Sequence, residues 1–179
     1  SNRSVPDRNY LINGGNNNTA IGYNALTLVP STTRFNTAVG SNALSGVNSA
    51  ASINNVAVGY NTMTGTGVIT ESVALGSGAL LNARDTSTRN TAVGYNAGSS
   101  LTTGTDNVLI GNLAGSAEAG ASSNKLYIDN SGSSTPLIYG DFSTDILRIN
   151  GTLNINNAYS LPTVAGSGHD ILPAQIPCF

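Results

Sequence analysis

The stretch NNTAIGYNAL, residues 17–26, sets a short strand-forming run between turn-forming Asn and a Gly. Nearly the same words return as NTAVGSNAL (36–44), NVAVGYNTM (55–63) and NTAVGYNAG (90–98). Aligned on the Gly after each short run (Gly22, Gly40, Gly59, Gly76, Gly94, Gly111), the spacings are 18, 19, 17, 18 and 17 residues. That period is too short for helical-pair repeats or a four-stranded propeller blade. Each unit also carries Gly, Asn and β-branched residues, which oppose a helix. Two short strands and two turns per coil fit, and stacked coils form a parallel β-solenoid in which each strand pairs with the copies above and below, roughly 4.8 Å away. The strand is rebuilt because each copy is the template for the next.

The columns have chemical content. The first holds Asn18, Asn36, Asn55, Ser72, Asn90 and Asn107, where an Asn tolerates the left-handed region and its amide can ladder to the next coil. One frame further, NKLYI (124–128) aligns with Asn124 in this column and Ile128 in the glycine slot. A strand alternates its faces, so the Ala column (Ala20, Ala38, Ala57, Ala74, Ala92, then Leu109) opposes the column Ile21, Val39, Val58, Leu75, Val93 and Ile110. The expectation is that Ile/Val, joined by Leu26, Leu44, Met63 and Leu80, fills a narrow core. The Ala and Gly columns would then form a flat outer strip on which other chains pack. Few buried methylenes per residue make a lone solenoid of this girth marginal, which argues for an oligomer with a threefold fibre as the closed solution.

Bulk composition agrees with an ordered, repetitive, all-β chain. Charged residues are only 9% and the formal charge is −2, yet Val, Ile and Thr abound, which separates the chain from charged disordered segments. With seven Lys plus Arg there is no basic patch for nucleic acid, and no apolar run is long enough for membrane insertion as a helix. The chain opens SNRSVPD without a leader or initiator Met, as a fragment, a processed product or an expressed piece would. Four segments are expected: a leader or stem end (1–13), β-roll repeats of about seven coils (14–130), a small β cap or neck (131–157) with longer alternating strands, and an extended tail (158–179).

The words N-T-A-V-G, N-V-A-V-G and S-V-A-L-G resemble the head repeats of trimeric autotransporter adhesins, an Asn and a small residue before Val-Ala-Ile-Gly. NNTAIGYNAL is still more similar to repeats of phage tail-fibre-like proteins, often followed by an endosialidase-type intramolecular chaperone. NKLYIDNSGSSTPLIYGDFSTDILRINGTLNI (124–155) resembles the stretch after such repeats, and AYSLP (158–162) the start of a stem. The similarity covers roughly residues 13–165. No chaperone segment is read within residues 1–179, and GHDILPAQIPCF (168–179) is outside the likeness. The resemblance implies a left-handed parallel β-roll assembled as a homotrimer.

Catalysis finds little footing. His169 is the only histidine and Cys178 the only cysteine, so one chain offers no multi-His metal site and no intrachain disulfide. Nine carboxylates are scattered, as on an ordinary solvated surface. The coils lack the Gly-Gly-x-Gly-x-Asp calcium signature, and no Gly-rich loop leads to Lys-Ser/Thr. Neither metal nor cofactor is expected. The residue after the Gly is aromatic on alternate coils: Tyr23, Tyr60 and Tyr95, with Ser41 and Ser77 between them. Each Tyr either packs over the small residue of the next coil or forms, with the others, a stripe of platforms for sugar rings. The expectation is a non-enzymatic structural and adhesive segment of an extracellular fibre, on a virion tail or a cell surface, binding a glycan or protein receptor. The alternatives are a bacterial trimeric surface adhesin, a glycan-degrading tailspike with an inter-subunit site, and a structural extracellular filament.

Overall fold

A computed structural model describes residues 17–27, 32–46 and 52–154. The leader, the end of the cap from 155, and the whole tail (158–179) with His169 and Cys178 lie outside these described residues. The strands are β1 (Thr19–Ile21), β2 (Thr37–Val39), β3 (Val56–Val58), β4 (Gly67–Thr70), β5 (Val73–Leu75), β6 (Asp85–Thr88), β7 (Thr91–Val93), β8 (Val108–Ile110), β9 (Lys125–Ile128), β10 (Ile138–Asp141) and β11 (Ile146–Ile149). Among the described residues there is no helix. One sheet runs β1-β2-β3-β5-β7-β8-β9-β10-β11, and a second pairs β4 with β6. The described residues form a parallel β-solenoid of about six turns. The pairings from β1 to β9 are parallel and keep Ala20, Ala38, Ala57, Ala74, Ala92, Leu109 and Tyr127 in one row.

The glycine slot is a close backbone contact. At Gly40 and Gly76 φ is 131° and 130°, and a Cβ on either would stand 2.4 Å from the carbonyl oxygen of the next coil's glycine. Only glycine fits there.

The Asn column is a hydrogen-bond ladder. Asn55 Nδ2 donates to Asn36 Oδ1 (2.9 Å) and, across the coil, to the Ile69 carbonyl (2.7 Å). Its own Oδ1 accepts the backbone N–H of Ser72 at 3.0 Å. Asn36 and Asn107 repeat the pattern, so these buried amides have partners for both donor hydrogens and for the oxygen. The left-handed conformation belongs to the residue before each rung, such as Asn17, Phe35, Asn54, Glu71 and Arg89, and not to the ladder Asn itself.

Ser72 interrupts the ladder. Its Oγ accepts the N–H of Asn90 at 3.2 Å, and Asn90 Nδ2 turns instead to Ser87 Oγ at 3.0 Å. Ser72→Asn restores both a donor to Asn55 Oδ1 and an acceptor for Asn90. We expect it to stabilise the chain by about 1 kcal/mol, the net worth of a hydrogen bond. Chemical denaturation checks this, and a loss of stability would show that the gap has no room for the amide.

Two sequence expectations are corrected. The core is built from Ala38, Ala57, Ala74 and Ala92, fully buried, together with Leu26, Leu44, Met63 and Leu80, while Ile21, Val58, Leu75 and Ile110 face outward and exposed. The reason is width. The Leu/Met residues sit in the turn at φ 49–54° and fill the interior, leaving room for only a methyl group opposite. That conformation costs about 1–2 kcal/mol per residue, offset by burial worth about 1.5–3 kcal/mol per side chain. The second correction concerns the last repeat. Val108 pairs with Leu126 and Ile110 with Ile128, so Lys125 takes the Asn column and Asp129 the glycine slot, one residue later than Asn124 and Ile128. Lys125 N–H still donates to Asn107 Oδ1 at 2.9 Å.

β9 changes the pairing mode. It is parallel to β8 and antiparallel to β10, and β10 is antiparallel to β11. The array therefore ends in a hairpin and not in another coil.

Candidate functional site: the tyrosine row and the outward face

Tyr23, Tyr60 and Tyr95 each follow the positive-φ glycine of their coil, at Gly22, Gly59 and Gly94. Their main chains are pinned, because their carbonyls accept the N–H groups of Asn42 (2.7 Å), Gly78 (2.9 Å) and Leu113 (2.8 Å). The register puts two strand steps between successive tyrosines, about 9.6 Å at the usual spacing. The side chains are 57%, 55% and 56% exposed. Packing on the neighbouring coil accounts for less than half of each surface, and three aromatic groups remain open on a rigid ruler.

The second surface was missed by sequence reasoning. Alternation turns the first and third residue of each coil strand outward, so Thr19, Thr37, Val56, Val73, Thr91 and Val108 run beside the Ile/Val column. The result is a flat face of β-branched and aliphatic side chains without a charged group. A sequence signal for it existed: where the inner Ala becomes Leu109, the turn Leu becomes Gly98 and Gly115. Such an exchange of size between two columns means that both share one interior.

Two ion pairs form among the described residues. Asp106 holds Arg89 through two bonds of 2.6 and 2.9 Å on the exposed edge, which lowers the carboxyl and raises the guanidinium. Lys125 Nζ lies 2.6 Å from Asp141 Oδ2 across β9 and β10. The Lys125 hydrogen bond, aided by Ser143, pulls Asp141 down to about 2. Burial, then the hydrogen bond to Glu118, pushes the Tyr127 phenol up. Glu118 also accepts from Ser122 Oγ at 2.8 Å. Tyr127 meets Tyr139 edge-on, centroids 5.5 Å apart, and Arg148 stacks over Tyr139 at 5.4 Å. These contacts fasten the hairpin to the last coil.

Among the described residues no cluster of three or more His, Cys, Asp or Glu forms, and no helix is long and apolar enough to cross a membrane. No family model, no curated protein and no solved structure matches the chain.

Proposed function

We propose that the chain is a non-enzymatic structural and adhesive segment of a homotrimeric extracellular fibre, of the phage tail-fibre-like kind, attaching to a host or cell surface. The observation that carries the reading is the outward apolar face: Ile21 is 56% exposed and Val58 36% in the single chain. A continuous apolar strip on a soluble surface marks an interaction site. Its threefold closure leaves the loops and the tyrosine row outside to meet a receptor. Rings at about 9.6 Å intervals suit the apolar faces of successive sugars along a surface glycan, and pinned main chains keep that spacing at little entropic cost on binding.

Mass measurement should give three chains. Val58→Asp places its carboxylate on the outward face, so each chain keeps its β-type circular dichroism but association is lost, because burying an unpaired charge costs several kcal/mol. Trimers that survive Val58→Asp would remove this face from the interface, and wild-type single chains at micromolar concentration would sink the fibre reading. Titrated against surface polysaccharides, Tyr60→Ala should bind roughly tenfold more weakly or worse, within the range of aromatic hot spots, with its mass unchanged. Equal binding would dismiss the tyrosine row. Release of oligosaccharide would favour a tailspike.

A further inference from the structure

We propose that the hairpin β10–β11 is a docking surface for second copies of this chain, carrying the inter-chain contact past the last coil. The proposal rests on the fibre reading and gives it a site that the coils do not contain. The antiparallel register continues the outward columns without a break. Val108, Leu126, Gly140 and Leu147 stand in one row, and Ile110, Ile128, Ile138 and Ile149 in the other. Directly opposed residues share a face of the sheet. The hairpin therefore extends the coils' own apolar face and does not close it off.

Exposure is greatest at this end. Leu147 is 66% exposed, the highest value among the large hydrophobic side chains of either row, and Ile149 on the same strand face is 37% exposed. The first row runs Thr19, Thr37, Val56, Val73, Thr91, Val108, Leu126, Gly140 and Leu147, so both of its leucines lie at the hairpin end. The six outward coil strands span about 29 Å at the usual strand spacing, and β9, β10 and β11 lengthen the strip by half. β11 is also an edge strand with all four residues exposed, a form that pairs or aggregates unless something covers it.

The occupant follows from the chemistry of the strip. Across nine strands its two rows hold only Thr, Val, Ile, Leu and one Gly, in a chain otherwise rich in Asn and Ser. A glycan would find almost no hydrogen-bonding groups there. A corrugation repeating every strand, about 4.8 Å, is matched by a surface with the same repeat, and another copy presents one. Arg148, the only charge in β11, is turned to the opposite face, over Tyr139.

The test uses the full chain with Cys178→Ser. Leu147→Cys treated with a short bismaleimide should give linked chains, whereas Ser134→Cys in the exposed loop between β9 and β10 should stay single. Separately, Leu147→Glu should weaken association by roughly tenfold or more, about 1.4 kcal/mol or above, with the β signal kept. Leu147→Thr, which retains a strand former, should weaken it in the same direction and decides the matter if the Glu variant does not fold. Assembled chains that do not link through residue 147, or Leu147 variants that associate like the wild type, overturn the hairpin surface and leave the coil-face reading standing. A wild type that remains a single chain overturns both.

Discussion

Gly76→Ala is expected to destabilise the solenoid by about 2–6 kcal/mol, or to prevent its folding. Two independent costs meet at that atom. The backbone at Gly76 has φ 130°, outside the region that an L side chain adopts readily. Forcing alanine into it costs on the order of 1–3 kcal/mol. The added methyl would also lie 2.4 Å from the Gly94 carbonyl oxygen and 2.7 Å from its carbon. Those are main-chain atoms, held in turn because the Gly94 N–H donates to the Leu75 carbonyl at 2.8 Å. No rotamer change relieves the contact, so the coils must separate, at an overpacking cost of about 1–3 kcal/mol more. Ser77→Ala, one residue on, meets neither problem and serves as the control. Denaturant midpoints that fall together for the two variants would show that the glycine column is not a close contact.

The glycine contact also shows what the sequence could reveal. A period of 17–19 residues with Gly at its beat needs only counting, and it leads to a parallel solenoid and an Asn ladder. Which face of the strand is inside is a different kind of fact. Alternation separates Ala57 from Val58 but assigns neither to the interior. The assignment depends on how far Leu44, Met63 and Leu80 reach from their turns, and that reach comes from a left-handed backbone at bulky residues, against ordinary preference. Hydrophobic size alone favours Val over Ala for a core, so the rule fails where the core is one side chain wide.

The slipped frame at the last repeat has a similar origin. Asn107 Oδ1 bonds a backbone N–H, which every residue except proline supplies, so the final rung accepts Lys125. No further coil calls on an amide at that position, and the lysine's own charge is used on Asp141. The words NKLYI offer an Asn one residue early, and nothing in the letters marks the shift. For the tyrosine row the spacing was legible, because it follows from the period. The exposure of the rings was not, since it depends on how the neighbouring coils are filled.

The exchange of size between columns yields the second large effect. In the upper coils Ala faces Leu or Met; at the lower end Leu109 faces Gly98 and Gly115. A Cβ on Gly98 would stand 2.6 Å from Leu109 Cδ1 and 3.0 Å from Leu80 Cδ2, and one on Gly115 2.7 Å from Leu109 Cδ2. Gly98→Leu alone should therefore be strongly destabilising through overpacking. The backbone is not the obstacle, because φ at Gly98 is 62° and Leu80 already occupies the equivalent position at 49°. Leu109→Ala alone leaves a hole in a fully buried site and should cost about 2–5 kcal/mol. Together the two changes rebuild the Ala-with-Leu pairing of the coils above. The double variant should thus be more stable than either single one, with a coupling on the order of 2–3 kcal/mol in a double-mutant cycle. Some loss remains, since Gly115 still lacks a side chain to meet Ala at 109. Strictly additive effects in urea denaturation would mean that the two positions do not share an interior, and the assignment of Ala to the core and Val to the outward face would fall with it.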